Sequence, residues 1–556
     1  MDKRTLLSLL GRLAFAHELV GDPRAAKAYG SAIWTLRQVD GDLREMHASG
    51  ALAKVRGVGK SVLRVADAVF AEGGPSEPEE LAAMEAEIPA GLREVAKLRG
   101  LGPKKVRQLW AELGITTLAE LEYACSENRL VDLKGFGAKS QAKVLAAIAE
   151  ARANEGLLRR DQAKLVLDAV VKSLADAGVA AHVVGAYRRG CEVVDALELV
   201  AVAAAAAVAA ALPNAIVDGD VVARKVSGTP LRVFCCAAAR LGTELVLRTG
   251  PEDHVAALTA RGGGSLPIAG DEAALYAALD LSPTPPERRD AGAPLYVRGR
   301  ARPELIRRED LVGALHNHTT ASDGMHSIEA MRAAAAARGL AYLGISEHSR
   351  AASYAGGLEI DALLAQLERI AALNAEGHAC TLLTGIESDI LADGALDYAP
   401  ETLRRLDLVI ASVHNRHGQR GEAMTLRMVA AAENPWTDVI GHPTGRLLLG
   451  RAPSDFEVVA MLDACAASGC AVELNASPQR LDLHERHLSM AKERGILVSI
   501  AADAHSAEAL DHLDYGISIA RRAGLTPADV LNCKPLDELR AWLRARKERA
   551  AAALGA

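Results

Sequence analysis

Aromatic side chains are nearly missing from this chain: five Phe, four Trp and nine Tyr stand among 556 residues. Ala fills many of the places where larger residues normally sit, a pattern of codon bias that by itself excludes no function. The eight Cys include no Cys-x-x-Cys pair; Cys235 and Cys236 are adjacent, and Cys465 and Cys470 lie five apart. That spacing argues against a disulfide framework and for buried thiols in a reduced, cytoplasmic setting. No apolar run reaches membrane-spanning length. The continuous stretch from Leu199 to Leu212 covers only fourteen residues and is Ala-dominated, so a buried helix is expected there. The opening MDKRTLLSLLGRLAFAHELV has a helical apolar period and no signal-peptide cleavage pattern. Excess positive charge is missing too. With 64 Lys and Arg against 71 Asp and Glu, the net charge is −7, which excludes a surface basic throughout and leaves room for local basic patches.

What is present reads as a soluble globular protein, 50% hydrophobic and 24% charged, long enough for about three to four domains. The first segment, residues 1–158, is helical in pattern and repeats a short motif. Val55-Arg-Gly-Val-Gly-Lys60, Leu98-Arg-Gly-Leu-Gly-Pro-Lys104 and Leu133-Lys-Gly-Phe-Gly-Ala-Lys139 each precede a helix-like run. The paired glycines (Gly57 and Gly59, Gly100 and Gly102, Gly135 and Gly137) permit a tight turn that a phosphate can approach closely. Free N–H groups at the next helix start then hold that phosphate without reading base identity. Lys60, Lys104, Lys105 and Lys139 add charge, and Lys97, Arg99 and Arg107 complete a basic cluster around the second copy. The repeat resembles the helix-hairpin-helix motif, which implies non-specific binding to the DNA backbone.

Residues 159–289 are α/β in pattern and contain Gly185-Ala-Tyr-Arg-Arg-Gly190. This resembles the Gly-Ser-x-Arg-Arg signature of family X DNA polymerases, specifically the bacterial type joined to a C-terminal PHP domain. The resemblance implies a nucleotidyltransferase palm in which an Asp-x-Asp pair and a third Asp hold two Mg²⁺ ions. This sequence departs from it at each critical place. Ala186 stands at the Ser position, Ala196 and Glu198 at the Asp-x-Asp positions, and Pro230 at the third carboxylate. Asp195 is one residue off register, and such a slip on a strand turns a side chain to the opposite face. Thr249-Gly250 and His254 still match the family's palm–thumb region. A folded palm without polymerase activity is therefore expected. The Pro-rich, charged run SPTPPERRDAGAP follows, and a linker is expected over residues 290–301.

Twelve of the sixteen His come after residue 300. The segment LHNHTTASDG, from Leu315 to Gly324, carries His316, His318 and Asp323 directly after an apolar run. Two His separated by one residue project from the same side of a strand, so both imidazoles reach one ion. Further apolar runs end at His348, Glu387, His414, His442 and the pair Asp503 and His505. Helix-like segments lie between some of them. Metal-ligating residues at successive strand ends are what a β/α barrel presents on its active face.

The set resembles the PHP (polymerase and histidinol phosphatase) domain, a distorted (β/α)7 barrel with a trinuclear metal centre. The resemblance implies that His316, His318, Glu387 and Asp503 hold one metal, and that Glu387, His414 and His442 hold a second with Glu387 bridging. Asp323, His348 and His505 would hold a third. Imidazole and carboxylate ligands together suit Mn²⁺, Zn²⁺ or Fe²⁺, and the choice among the three stays open. Glu387 and Asp503 are expected to be central to catalysis and Arg446 to grip substrate phosphate, with Glu473 and Asn475 supporting the ligands. His326, His378, His417, His484, His487 and His512 hold no motif position.

The expected architecture is multidomain α plus α/β. It comprises the helix-hairpin-helix region, a nucleotidyltransferase-like palm and thumb to residue 289, a PHP-type barrel over 302–546 and an Ala-rich tail over 547–556. Adjacent divalent ions acidify a bridging water and neutralise phosphoryl oxygens, so the expected chemistry is phosphoester hydrolysis. The resemblance implies a DNA-repair 3′–5′ exonuclease, with 3′-phosphatase or AP-endonuclease activity beside it. DNA ends or gaps are the expected partner, with no membrane and no obligate protein partner. Two other readings stay open: a small-molecule phosphatase of the histidinol-phosphatase type, and a DNA-binding scaffold with structural metals.

Overall fold

The computed structural model describes residues 2–553 except 40, 72–76, 132, 227, 291–293 and 416–418. His417 and part of the expected linker thus lie outside the described residues. The chain divides into two compact units, Met1–Glu155 and Gly156–Ala556.

The described residues of the first unit are helical. The apolar period at the N-terminus forms one helix, Asp2–Val20. Leu6, Leu9, Leu10 and Leu13 enter one core, and Ala16 and Leu19 a second. The three glycine motifs are alike in detail. Gly57, Gly100 and Gly135 have φ of +87°, +87° and +85°, a conformation that a Cβ disfavours. Gly59, Gly102 and Gly137 cap the helices Lys60–Phe70, Pro103–Leu113 and Ala138–Ala153, with no side-chain cap at any of them. The apolar residue between each glycine pair, Val58, Leu101 or Phe136, is buried and anchors its turn. Lys105 donates to the Gly100 carbonyl at 3.1 Å and sits 5.4 Å over the Phe136 ring, so it ties two hairpins together. Lys60, Lys104 and Lys139 are the exposed ones.

The second unit holds three sheets. The strands Leu158–Arg159 (β1) and Val193–Val194 (β3) pair antiparallel. The palm sheet comprises Ala181–Val183 (β2), Leu197–Ala201 (β4), Ile216–Asp218 (β5), Val221–Val226 (β6) and Thr229–Cys235 (β7). Its order is β2-β4-β7-β6-β5, and only β4 and β7 run parallel. The expected helix over Leu199–Leu212 is not there. The run splits into the buried strand β4 and a short helix, Ala205–Ala211, because Leu197–Ala201 pairs with strands on both sides and fills the palm core. The Pro-rich stretch before residue 291 is packed: Arg289 is buried, with Nη1 2.9 Å from Glu272 and Nε donating to the Thr284 carbonyl.

Seven parallel strands form the barrel: Gly313–Ala314 (β8), Tyr342–His348 (β9), Thr381–Asp389 (β10), Leu408–Ser412 (β11), Val439–Ile440 (β12), Ala471–Asn475 (β13) and Val498–Ala501 (β14). The seam between first and last strand is bridged at Asn317 and Ala504. Asn532 wedges into it, hydrogen-bonding Gly313 and Ile500. Strand alternation sorts the side chains. Tyr342, Leu383, Leu408, Ile410 and Ala471 face inward and meet Leu539 and Leu543 of the closing helix, while Leu343, Leu382, Val409 and Val472 pack outward. That closing helix, Leu536–Ala553, extends into the expected tail, with Ala550 buried.

Candidate metal centre

The same alternation carries polar residues to the other end of the barrel. Continuing the two-residue period from each inward apolar position, the series runs through Ser346 to His348, Gly385 to Glu387, Ser412 to His414 and Glu473 to Asn475. The strands' C-terminal ends therefore present ligating side chains at one mouth. All nine sequence-predicted ligand positions converge there.

Glu387 is the hub. Its two oxygens lie 2.9 Å from His348 Nδ1, 2.9 Å from His442 Nε2 and 3.1 Å from His414 Nε2. They lie 3.3 Å from His316 Nε2 and 3.6 Å from His318 Nε2. Asp503 Oδ1 is 3.2 Å from His318 Nε2, and Asp323 Oδ1 is 3.3 Å from His505 Nε2. Three groups gather their donor atoms within 4.8 Å of one another: His318, Asp323, His348 and His505; His316, His318 and Asp503; His348, Glu387 and His414. These overlap the three sets expected from the sequence without reproducing them: Glu387 falls in one group, His442 in none, and His318 and His348 each in two.

The donor set fits divalent cations. Buried atoms at His316 Nε2, His318 Nδ1 and Nε2, His348 Nδ1, Glu387 Oε2, His414 Nδ1 and His442 Nδ1 make no hydrogen bond. Leaving a polar atom so costs about 1–3 kcal/mol each, and mixed imidazole and carboxylate donors are what Mn²⁺, Zn²⁺ or Fe²⁺ accept. The backbone is also held against its preference. His442 and Asp503 have φ of +23° and +50°, a strain that clusters at functional sites.

Charge is organised accordingly. Burial opposes it, yet the surrounding imidazoles hold the Glu387 and Asp503 carboxyls well below the usual range. Burial likewise opposes protonation of His316, but Glu473 and Glu387 push it well up. His348 is raised to about 10 against its burial by Glu387 and Asp323. Burial is also overcome at His414 and His505, raised to about 9 by Glu387 and Asp323 respectively. His318 moves the other way, to about 3, through burial and the neighbouring His505. An arriving cation competes with the protons on the raised imidazoles, so its affinity grows with pH.

A supporting layer fixes the donors. Glu473 Oε2 meets His316 Nδ1 at 2.7 Å, and Asn475 Nδ2 donates to Asp503 at 3.0 Å and to Glu473 at 2.9 Å, as the sequence suggested. Two supports were missed. Asp389 lies 3.6 Å from His414 Nδ1 and accepts from Asn415 Nδ2. Glu347 accepts from the Thr319 N–H at 3.0 Å and from the Ser322 hydroxyl, which sets the turn that carries Asp323. Both adjoin predicted ligands along a strand, and that adjacency was the only signal.

Arg446 requires correction. Its Nε donates to the Arg480 carbonyl at 2.9 Å, and its Nη2 to the Leu481 carbonyl and to Glu192 of the palm. It braces the loop after β13 against the palm and is not placed as a phosphate grip. Among the described residues, Arg480 turns its guanidinium to the cluster, with Nε 3.9 Å from Asp503 Oδ2 and a buried Nη1 that makes no hydrogen bond. The pair tests the brace. Glu192→Ala strips a buried guanidinium of its counter-charge and is expected to lower stability by about 3 kcal/mol. Urea unfolding reads this, and an unchanged midpoint would show that the brace contributes nothing.

In the palm, Leu197 pairs with Leu231 and Glu198 with Arg232. The preceding residues, Ala196 and Pro230, therefore stand beside each other where the resemblance implies carboxylates. Glu198 lies 3.5 Å from Arg232 Nη1, and Asp195 is exposed. Arg188 pairs with Glu272 and also donates to the Thr249 hydroxyl at 2.9 Å.

Comparison with known proteins agrees with this arrangement. Residues 92–150 match the SAM-like helix-hairpin-helix tandem family, and residues 314–477 match the PHP domain family. The hairpin at Val55–Lys60 lies outside that match and shares its geometry. The chain is 33% identical over 577 residues to the "DNA polymerase/3′-5′ exonuclease PolX" of Bacillus subtilis, covering 98% of this chain and 100% of that protein. Over the barrel it is similar to proteins named "probable phosphatase". One is from Thermoanaerobacter sp., 29% identical over 178 residues, with 30% of this chain and 70% of that protein covered. Another is from Syntrophotalea carbinolica, 29% identical over 231 residues, with 39% of this chain and 90% of that protein covered.

Proposed function

The chain belongs to the bacterial PolX family of DNA polymerase/3′-5′ exonucleases, and from that premise we propose that it is a metal-dependent DNA phosphoesterase that removes nucleotides from 3′ ends in its barrel. The observation that carries this reading is the convergence of five imidazoles on Glu387 at the barrel mouth. His316, His318, Glu387 and Asp503 would hold one ion, Glu387, His414 and His442 a second, and Asp323, His348 and His505 a third. Bound Mn²⁺, Zn²⁺ or Fe²⁺ supplies an acidified water and a counter-charge for the phosphoryl oxygens. Arg480 adds a fixed positive charge beside the same oxygens. Glu473 and Asn475 keep His316 and Asp503 in place while the ester reacts.

The hairpin unit supplies the second half of the reading. Three uncapped helix starts with exposed Lys60, Lys104 and Lys139 suit DNA phosphates, and carrying them on one chain with the barrel raises the local concentration of DNA ends. The palm, with Ala196 and Pro230 at two ligand positions, serves without incorporating nucleotides. No described helix is long and apolar enough to cross a membrane. The similarity to probable phosphatases favours a second reading, a phosphatase of small phosphomonoesters, confined to the barrel.

One experiment separates the two. Mn²⁺-loaded protein is expected to release nucleotides from 3′-labelled single-stranded and gapped DNA. Intact DNA alongside brisk hydrolysis of p-nitrophenyl phosphate would establish the phosphatase instead. Replacing Lys60, Lys104 and Lys139 by Ala is expected to weaken DNA cleavage and to flatten the dependence of log K on log salt by about 2, at roughly 0.7 per lost phosphate contact. An unaltered slope would remove the hairpins from the DNA path.

A further inference from the structure

Among the described residues, the metal centre is most open to solvent at Asp323 and His505. Asp323 and His505 are 35% and 37% exposed, whereas the other seven donor side chains are a tenth exposed or less. Two of the few exposed large apolar side chains stand at that opening. Tyr354 is 71% exposed, and its ring lies 6.4 Å from that of His348. Met325 is 39% exposed, and its N–H donates to the His505 carbonyl at 2.7 Å.

The placement of Tyr354 is built. It sits in a single turn, Ser353–Ala355, that Gly356 closes with φ +70°. A Cβ on Gly356 would come within 3.4 Å of the Ser322 carbonyl, so the turn packs on the segment that carries Asp323. The Ala355 and Gly357 N–H groups both donate to the Ala352 carbonyl, and the Ser349 N–H to Glu387 on β10. An aromatic ring is thus held at the mouth with its body in solvent, in a chain with only eighteen Phe, Trp and Tyr.

Resting on the exonuclease reading, we propose that Tyr354 forms a nucleobase-stacking subsite that seats the 3′-terminal base while its phosphoester enters the metal centre. Every base has a π-face, so such a platform accepts any of the four and favours ends that carry a base over ends that lack one. It would distinguish a nucleotide from a small phosphomonoester without any base-reading hydrogen bond.

The full chain is tested with Ca²⁺ in place of Mn²⁺ and a single-stranded oligonucleotide ending in 3′ 2-aminopurine. Wild type and Tyr354→Trp are expected to quench the fluorophore, and Tyr354→Ala to leave it bright at saturating protein. With Mn²⁺, wild type is expected to prefer a base-bearing 3′ end over an abasic one by about tenfold to a hundredfold in kcat/KM, the range one stacked base supplies. Tyr354→Ala is expected to bring that ratio close to one, and Tyr354→Phe to retain it. Equal quenching and an equal ratio in wild type and Tyr354→Ala would overturn the subsite. If wild type leaves DNA intact while hydrolysing p-nitrophenyl phosphate, the exonuclease reading fails first and the subsite falls with it.

Discussion

Glu387→Gln is expected to abolish hydrolysis of DNA and of p-nitrophenyl phosphate together, by about 10³-fold or more. The substitution keeps the shape of the side chain and removes its charge. Five ring nitrogens lie within 3.6 Å of the two Glu387 oxygens, so its charge reaches donors of all three groups, which are themselves joined through His318 and His348. An amide cannot balance adjacent divalent ions, and the several kcal/mol that such ions give to a phosphoryl transition state would go with them. Each 1.36 kcal/mol is a factor of ten in rate. Bound metal measured by elemental analysis should fall in parallel with rate. A variant that keeps both its metal content and its turnover would displace Glu387 from the centre of the site.

Primer extension on a gapped template is expected to show no nucleotide incorporation above a protein-free control, in Mg²⁺ or Mn²⁺. The argument is one of register. The pairing of β4 with β7 puts Leu197 opposite Leu231 and Glu198 opposite Arg232, which leaves Ala196 beside Pro230. A methyl group and a pyrrolidine ring donate nothing to a cation. The one carboxylate left on that face, Glu198, already has Arg232 at 3.5 Å. Asp195 is exposed and lies in the bend between β3 and β4, outside the paired strands. Two-metal nucleotidyl transfer requires the carboxylates that are missing. Robust extension would mean that Asp195 and Glu198 rebuild the site, and would restore a second active centre to the chain.

Some features were legible because they are local. The hairpins are set by six or seven contiguous residues, and their glycine dihedrals follow from the pattern. The barrel ligands were readable because strand alternation carries a two-residue period from the apolar interior to the polar mouth. Where reading failed, the deciding partner lay far along the chain. Arg446 looked like a phosphate grip beside the ligand His442 until Glu192, 254 residues away, took its guanidinium. The run Leu199–Leu212 looked like one helix because its apolar residues carry no period that separates helix from strand, and pairing with β2 and β7 decided the first part.

The sequence alone therefore determined the kinds of donor, their order along the chain and the repeated phosphate-binding turns, since each depends on residues near one another in the chain. Tertiary structure alone decided which side chains share the metal mouth and which guanidinium faces it, and that Lys105 ties hairpins together instead of standing free. It also decided that Tyr354 stands exposed with its ring 6.4 Å from that of His348. The physical reason is the same in each case: hydrogen bonds, ion pairs and burial act over a few ångströms in space, and sequence fixes that distance only for neighbours.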